Sequence, residues 1–408
     1  MPPPQADSSN QLQDSALEVG RQVWISRYNH GMPTIEVQTV VTPKHSRDFF
    51  SLRRKIYAND SSVIHPLKSM ERLLLNPAKH PFYEHASREM FVAYRDSELV
   101  GRVVAIKDTM HNEHYNDQVG FFGFFETVDD QAVADALLNA AEGWLKEQGC
   151  NAMRGPVSPS LKGEFGVLTE GHEYSPMIMM GYTPKRYATH LAAAKFDAIK
   201  SFYAIKFNRD EIDGVREKWK QLYDAREKIF KRYPQLEIRQ VAANNFQQTF
   251  REINTLGNTV RSEGWGFVPL TEKELEFMIK NIRRVIRFDM IHVAYWEGKL
   301  VGYIVNIPDI NWALKQAKGK WDWLRLLQFP FYLKRSPQTR VIALGVDKQY
   351  RTKGIAMILI SLLVDTFKEY ETWEFSWVDA DNLKSLRAIE RSVPLVKYKT
   401  YQLFEKAI

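Results

Sequence analysis

The fold of this chain is decided by one stretch, Val341-Ile342-Ala343-Leu344-Gly345-Val346-Asp347-Lys348-Gln349-Tyr350-Arg351-Thr352-Lys353-Gly354-Ile355-Ala356. It predicts an apolar strand, a polar turn with the pattern Arg-x-x-Gly-x-Ala, and a helix that continues to Leu363. Such a turn directs backbone N–H groups outward at the positive end of a helix dipole, which favours phosphate oxygens. Gly354 lets the backbone approach an anion without a Cβ, and Arg351 adds a charged donor. The predicted phosphate ligands are Arg351, Thr352, Lys353, Gly354, Ile355 and Ala356.

The segments around this turn have a recognisable order. A hairpin is predicted over 291–305, a strand over 373–378, a helix over 383–391 and a last strand over 397–404. This order resembles the core of the GNAT acyltransferases, in which the same turn grips the pyrophosphate of coenzyme A. Asn382 and Ser385 match the Asn-x-x-Ser start of the helix that flanks the coenzyme in that superfamily.

The chain also repeats itself. Residues 91–106 align without a gap to residues 292–307, and the shared positions include Val92-Ala93-Tyr94 and Val293-Ala294-Tyr295. A period near half of the 408 residues indicates two copies of one domain rather than a solenoid. We therefore expect an α+β or α/β protein with two tandem GNAT-like domains, each a mixed central sheet flanked by helices.

The expected boundaries are a disordered or irregular segment at 1–30, a first domain at 31–210 and a connecting helix at 211–235. The second domain follows at 236–408, with an insertion at 309–338 that the first copy lacks.

The first copy departs from the second at the phosphate turn. Its equivalent, residues 126–131, has no glycine and carries three carboxylates, which would repel a pyrophosphate. We therefore expect the first domain to have lost coenzyme binding, which leaves one active site per chain in the C-terminal half.

From about Glu36 to the C terminus the chain resembles a bacterial family of tandem GNAT-like proteins. The resemblance rests on the segments 122–126, 154–156, 164–168, 268–271 and 376–379, together with Asn382. Members of this family are assigned as N-acyltransferases, and some are linked to bacterial sphingolipid synthesis, where an acyl-CoA acylates a long-chain amine.

Composition excludes several classes of protein. The single Cys150 allows no intramolecular disulfide and no cysteine-based metal cluster, and it fits a reducing cytoplasm. No metal-ligand spacing occurs, so no metal is expected, and no run of about 18 apolar residues predicts a membrane span. The net charge of +7 suits a polyanionic coenzyme. Its Lys and Arg residues are spread along the chain without a nucleic-acid-binding motif, so no nucleic-acid partner is expected.

The insertion is rich in aromatic and basic residues. Residues 312–335 suit a contact with a membrane surface, because amphipathic aromatics sit at headgroup level and cations favour anionic lipid. The alternative is that these aromatics pack against the N-terminal domain. Under the first interpretation the protein is cytoplasmic and peripheral on the inner face of the membrane.

In the GNAT fold the strand before the phosphate turn and the next strand splay apart, and the thioester lies between them. The resemblance thus implies that Leu344, Gly345 and Val346 hold the pantetheine and polarise the carbonyl. A protonated amine must lose a proton before it attacks. Asp379 is the first candidate for the catalytic base and Glu374 the second, although both also suit a solvated or capping role.

The leaving thiolate has less need of an acid. Many GNAT enzymes supply one from a tyrosine seven residues after the Asn382 equivalent, but that position here is Ile389. Tyr398 or Tyr401 on the last strand remain as substitutes, although core packing is the simpler role for both.

Acceptor contacts are expected from the loop 261–271, where GNAT enzymes usually touch the amine, with Glu263 and Trp265 as candidates. Thr271 is expected only to cap the next helix. In the first copy, Arg154 and Glu164 suggest a buried ion pair that braces a loop. The alternative is that this copy lends acceptor contacts to the active half.

These features predict an acyl-CoA-dependent N-acyltransferase acting on a primary amine, with a lipid amine such as a sphingoid base preferred. Two alternatives are an acetyltransferase of a small soluble amine and a coenzyme-A-binding protein without catalysis.

Overall fold

The structure is a computed structural model that describes residues 23–26, 34–210, 216–262, 264–283, 285–317, 322–366, 369–382, 387 and 396–408. In the N-terminal half, here residues 23–210, the elements are β1 (Val23–Ser26), β2 (Ile35–Thr39), α1 (Pro43–Ile56), α2 (Lys68–Leu74), β3 (Ala86–Arg95), β4 (Glu98–Asp108), α3 (Thr109–Tyr115), β5 (Val119–Thr127), α4 (Gln131–Glu147), β6 (Ala152–Gly155), β7 (Val157–Ser158), β8 (Glu164–Phe165), β9 (Val167–Glu170), α5 (Arg186–Ala193) and β10 (Asp197–Asn208). In the C-terminal half, residues 216–408, they are α6 (Arg216–Arg232), β11 (Leu236–Gln240), α7 (Phe246–Arg261), α8 (Glu272–Ile282), β12 (Ile291–Trp296), β13 (Lys299–Pro308), α9 (Ile310–Gln316), α10 (Asp322–Leu333), β14 (Gln338–Val346), α11 (Ile355–Ser361), β15 (Thr372–Asp379) and β16 (Val396–Ala407).

The predicted repeat is visible in the two hairpins β3–β4 and β12–β13. Ala93 pairs with Gly101 and Ala294 with Gly302, and in both hairpins the register then shifts by one residue at the following tyrosine. Both glycines lie under a helix. A Cβ on Gly101 would stand 2.5 Å from Leu137 of α4, and one on Gly302 would stand 3.0 Å from Ile355 of α11. The same strand geometry and helix contact thus occur twice.

Among the described residues, all strands except β7 and β8 form one mixed sheet that runs through both halves, and β7 and β8 pair with each other. The strand order in the mixed sheet is β1-β2-β3-β4-β5-β6-β16-β10-β15-β14-β13-β12-β11, and β9 pairs with β16 beside this path. The last strand of each half has therefore crossed to the other half. Strand β10 pairs with β15, and β16 pairs with β6 through a register that includes Phe404 and Gly155.

Helices cover both faces of the C-terminal part of the sheet. On one face Ile358 and Leu359 of α11 join a core that includes Trp373 and Phe375 of β15. On the other face Phe250 of α7 belongs to a second core, against which Ile342 and Ala343 pack.

Two details differ from the sequence-based expectation. Residues 23–26, within the segment predicted to be irregular, form an edge strand, because Trp24 and Ile25 sit in a short apolar run that pairs with β2. The first copy also has a helix, α3, at the position of the insertion, where Asp108 caps the helix by accepting from the N–H of His111. The second copy extends this connection with α9 and α10.

Candidate active site

A cleft opens between β14 and β15. The two strands pair in parallel from Gln338 and Thr372 to Val341 and Phe375, and β14 then continues to Val346 while β15 continues to Asp379. The separation begins at a bulge, since Val305 of β13 faces Ala343 and Asn306 faces Val341, which leaves Ile342 as an extra residue. We call the gap beyond Val341 and Phe375 the splayed cleft. The separation of these two strands is the feature that the resemblance to GNAT acyltransferases implied.

Leu344, Gly345 and Val346 form the wall of the splayed cleft on the β14 side. They pair with β13 at one edge, and their other edge lies beyond the pairing with β15. Gly345 faces Tyr303, whose ring atoms would be 2.6 Å from a Cβ at this position. The glycine thus allows tight packing of Tyr303.

The phosphate turn follows directly. Residues Lys348–Lys353 form a 3₁₀ turn, Gly354 has φ of +79°, and α11 begins at Ile355. Arg351 and Thr352 are exposed, whereas the side chain of Ile355 is fully buried in the core. The Lys353 ammonium lies 4.8 Å from the ring centre of Tyr233. The left-handed glycine and the exposed residues before it suit an anion that approaches the backbone.

Glu374 lies in a buried network on the face of the sheet opposite to α11. It has no exposed surface and accepts hydrogen bonds from the hydroxyls of Ser376 and Tyr398. The guanidinium of Arg340 is 3.5 Å away and donates to Ser376 Oγ over 2.7 Å. Burial lowers the pKa of Arg340, and burial together with the Glu374 charge raises that of Tyr398. Both carboxylate oxygens of Glu374 are therefore engaged.

Two further buried charges face this network. Burial raises the pKa of Asp309 to about 7, and burial lowers that of Lys399 to about 8. Asp309 accepts from the N–H of Ile178 over 2.9 Å, and Lys399 donates to the carbonyl of Ser175 over 2.7 Å. With Arg340, which donates to the Ile178 carbonyl, they hold residues 175–178 of the N-terminal half against the C-terminal half.

Asp379 stands at the open end of β15. Its carboxylate pairs with Lys200 of β10 over 2.8 Å and accepts from the N–H of Asp381 over 2.9 Å. Burial acts against the charge of Lys200, yet hydrogen bonds to Asp379 and Asp381 raise its pKa. Asn382 donates its N–H to the Asp379 carbonyl over 3.0 Å. Asp379 and Asn382 thus lie together at the cleft, whereas Ser385, Ile389 and the predicted helix around them lie outside the described residues, Arg387 excepted.

The two substitute tyrosines are held by the protein itself. Tyr398 donates to Glu374, and Tyr401 donates to the Gly181 carbonyl over 3.1 Å. Both phenol pKa values are raised by burial, so neither hydroxyl is suited to protonate a thiolate.

The predicted acceptor loop lies between α7 and α8 and rests on the N-terminal half. Trp265 packs beside Phe202, with ring centroids 6.1 Å apart, and the Arg154 guanidinium lies 5.3 Å from its ring centre. Tyr115 donates to the Phe267 carbonyl over 2.9 Å. Glu263 lies outside the described residues.

Thr271 caps α8 through a capping box with Glu274, as expected. Glu274 also binds the N-terminal half, since Lys162 Nζ lies 3.2 Å and His85 Nε2 3.5 Å from its carboxylate. His85 Nδ1 is 2.8 Å from Asp108. Despite burial, hydrogen bonds to Asp108 and Glu274 raise the pKa of His85 to about 9. These ionic contacts hold the predicted acceptor loop against the N-terminal half.

In the N-terminal half the equivalent cleft is filled. Glu126 accepts from the hydroxyls of Tyr57 and Tyr187 over 2.6 and 2.9 Å, and it lies opposite Arg102 of β4 as Gly345 lies opposite Tyr303 of β13. Strand β7 crosses so closely that a Cβ on Gly123 would lie 1.4 Å from the Val157 carbonyl oxygen. Protein groups therefore occupy the space that a coenzyme would need.

The expected ion pair of Arg154 with Glu164 is wrong. Arg154 pairs with Glu405 over 2.6 Å, because the exchanged strand β16 lies beside β6 and brings Glu405 opposite Arg154. The sequence carried no signal for this partner, since it comes from the far end of the chain.

The insertion packs on the N-terminal half. Asp322 accepts from the N–H and the hydroxyl of Ser69 over 2.9 and 3.0 Å, and Arg325 donates to the His65 carbonyl over 2.9 Å. The outer face of α10 remains exposed. Its side chains are Trp323, Leu326, Leu327 and Phe331, and Lys334 and Arg335 are exposed beside them. Packing on the other half and an exposed apolar face therefore occur together.

Among the described residues, no three His, Cys, Asp or Glu side chains are grouped so as to hold a metal ion. In the same part of the chain, no helix combines the length and the apolar character needed to cross a membrane.

Comparison with known proteins agrees with this architecture. A sequence model of the Acetyltransferase (GNAT) family matches residues 258–393. Protein YghO of Escherichia coli (strain K12) is 30% identical over 383 residues, which cover 91% of this chain and 95% of that protein. A protein of Caulobacter vibrioides named bacterial ceramide synthase is 28% identical over 385 residues, covering 92% and 98%. A tandem GNAT protein from the clavulanic acid biosynthesis pathway shares the fold with a TM-score of 0.50 at 9% identity, over 91% of this chain and 98% of that one. The chain thus belongs to the GNAT family, whose members use acyl-CoA as co-substrate, and is an N-acyltransferase with two tandem GNAT-like domains.

Proposed function

We propose that this protein transfers an acyl group from coenzyme A to a long-chain primary amine, such as a sphingoid base. The observation that supports acyl transfer from coenzyme A is the splayed cleft, which ends in a left-handed glycine turn. Two observations support a lipid amine. A relative that matches most of the chain is named bacterial ceramide synthase, and α10 presents an exposed apolar face.

In this function the phosphate turn binds the pyrophosphate of coenzyme A. The N–H groups from Lys353 to Ala356 face the anion, and Arg351 and Thr352 add side-chain donors. Leu344, Gly345 and Val346 bind the pantetheine along the free edge of β14, where a backbone N–H polarises the thioester carbonyl. Asn382 and Ser385 flank the coenzyme from the β15 side.

The catalytic candidates of the cleft are Asp379 and Glu374. Asp379 lies at the open end and shares its charge with Lys200, whereas Glu374 is buried and positions Ser376 and Tyr398. In the proposed reaction the amine arrives as an ammonium and must lose a proton before it attacks the thioester. Glu263 and Trp265 are the proposed acceptor contacts of the α7–α8 loop.

The α10 face supplies the proposed contact with the membrane surface. Leu327 is 72% and Phe331 55% exposed, and Lys334 and Arg335 lie beside them. Apolar side chains enter the headgroup boundary and cations favour anionic lipid. The proposed location is therefore the cytoplasmic side of a membrane, where both an acyl-CoA and a lipid amine are accessible.

The test is a transfer assay with purified protein, sphinganine in mixed micelles and a series of acetyl-, octanoyl- and palmitoyl-CoA. Amide formation is measured by mass spectrometry and free coenzyme by thiol titration. We expect the rate to rise with acyl length and spermidine to be a poor acceptor. Transfer from acetyl-CoA to spermidine alone would establish the small-amine acetyltransferase instead. Binding of coenzyme A without turnover of any donor would leave a non-catalytic protein.

A further inference from the structure

Glu164 is a half-buried carboxylate of the N-terminal half that lies beside the splayed cleft. Its neighbour Phe165 stacks on Trp377 with ring centroids 4.1 Å apart, and Trp377 belongs to β15 beyond the parallel pairing. Since side chains alternate along a strand, Glu164 lies on the opposite face of β8 from this stack. Its Oε2 atom is 4.0 Å from where a Cβ would stand on Gly181.

Ionisable groups from both halves face Glu164. They are Arg53 of α1, Glu71 of α2, Glu126 of β5, Arg340 of β14 and Tyr401 of β16. Burial raises the pKa of Glu164 above its ordinary value of 4.5, and the two other carboxylates add to this against the two guanidiniums. A carboxylate in such surroundings gains a proton readily.

Glu164 differs from the other carboxylates at this end of the molecule because it is free. Glu374, Asp379 and Asp309 each accept hydrogen bonds from neighbouring groups. Within the part of the chain that the structure describes, the oxygen atoms of Glu164 accept no hydrogen bond and form no salt bridge. A half-buried carboxylate without a protein donor is accessible to a ligand, and a cationic group there would supply the missing partner.

Apolar side chains of both halves border the region of the Glu164 carboxylate. A core cluster of both halves, which includes Met177, Met180 and Tyr401 with Trp377 at its edge, lies around this region. Tyr401 is bonded to Gly181, the residue next to the Glu164 carboxylate.

We infer that Glu164 binds the ammonium of the acceptor amine and takes its first proton, so that the coenzyme-free half supplies the catalytic base. This role rests on the function proposed above. One proton passes from the ammonium to the Glu164 carboxylate. The neutral nitrogen forms a C–N bond with the thioester carbonyl, the C–S bond breaks, and the thiolate takes a second proton from that nitrogen. Glu164 then releases its proton to water, so an ammonium and a thioester yield an amide, a thiol and one proton.

The test compares Glu164→Gln with a matched control, Glu170→Gln, whose exposed carboxylate pairs with Lys397 over 3.0 Å. The donor is palmitoyl-CoA and the acceptor is sphinganine in mixed micelles. We expect Glu164→Gln to lower kcat by about 100-fold or more, as for loss of a general base. In the plot of kcat/KM against pH, the fall on the acidic side should disappear. The affinity of this variant for palmitoyl-CoA by calorimetry should stay unchanged. Its Tm should not fall, because Gln removes a charge that burial opposes.

Chemical rescue separates catalysis from structure. Formate should restore part of the activity of Glu164→Ala, because a small carboxylate can enter the vacated space. Wild-type activity and an unchanged pH profile in Glu164→Gln would overturn the inference. So would a lowered Tm with lost coenzyme binding and no rescue by formate, which would indicate a structural role. If the wild type binds coenzyme A but acylates no amine, the proposed function itself fails.

Discussion

Gly354 is the residue at which the coenzyme site can be tested most directly. Its φ of +79° belongs to the left-handed region, and a Cβ at this position would lie 2.5 Å from Ile229 Cδ1 of α6. In Gly354→Ala the methyl group would stand on the backbone that the pyrophosphate is proposed to approach. The substitution therefore affects both folding and binding, and the two effects have different sizes.

The folding effect is small. An L-residue in the left-handed region costs about 1–2 kcal/mol. The contact with Ile229 adds little, because the end of a flexible side chain can rotate away. For a protein of this size the expected fall in Tm is a few degrees, since about 1 kcal/mol corresponds to roughly 2–4 °C in larger domains.

The binding effect is larger. Hydrogen bonds to a charged group are worth about 1.5–3 kcal/mol each, and 1.4 kcal/mol is tenfold in affinity. If the methyl group displaces the phosphate from even one or two N–H groups, the Kd for coenzyme A rises by about 100-fold. Calorimetry with coenzyme A and thermal unfolding of the same samples measure both effects.

The chain supplies a matched control. Gly298, in the hairpin turn between β12 and β13, has φ of +81°, and a Cβ added there would meet no heavy atom within 4 Å. Gly298→Ala should lower Tm by a similar amount and leave the Kd unchanged. Equal affinities of Gly354→Ala and Gly298→Ala would refute the phosphate turn as the coenzyme site.

Three further outcomes follow from the structure. Glu374→Gln should cost about 3–5 kcal/mol in urea unfolding, because it leaves the buried guanidinium beside it uncompensated; a loss under about 1 kcal/mol would contradict this. His85, with its pKa raised to about 9, stabilises the fold fully below its ordinary value of 6.5, and this contribution disappears as the pH rises through about 9. His85→Gln should flatten that part of a Tm-against-pH curve, and an unchanged slope would exclude the residue as its source. Leu327→Glu and Phe331→Glu should each weaken binding to anionic vesicles by about tenfold or more at unchanged Tm, whereas Val41→Glu, equally exposed elsewhere, should not; equal effects of all variants would exclude α10 as the lipid contact.

Much of the fold could be predicted because its signals are local. The two hairpins share residues as well as register, and the turn around Gly354 carries its own pattern of charge and glycine. The capping box of Thr271 and Glu274 was predicted for the same reason and is confirmed, since both partners lie within four residues.

The exchange of β10 and β16 could not be predicted, because an alternating strand does not reveal which strand it pairs with. Nothing in the sequence marks Lys399 as buried, yet β16 carries it into the interface, where it has no exposed surface. Arg340 and Asp309 were also not predicted to be buried charges, because the partners that bury them are distant in the chain. Asp379 and Glu374 were predicted as catalytic candidates, but their engagement by Lys200 and Tyr398 was not predicted.

The strand exchange also bears on how such a protein can evolve. A duplicated domain that lacks the glycine turn of its sibling would ordinarily be expected to tolerate deletion. Here its removal would take away β10, the neighbour of β15, and would strip β16 of its partner β6. Gene truncation at either side of the repeat boundary thus yields a polypeptide with an unfinished sheet and exposed, aggregation-prone edges. The first copy thus completes the sheet of the second, so selection for the fold of one half also preserves the other.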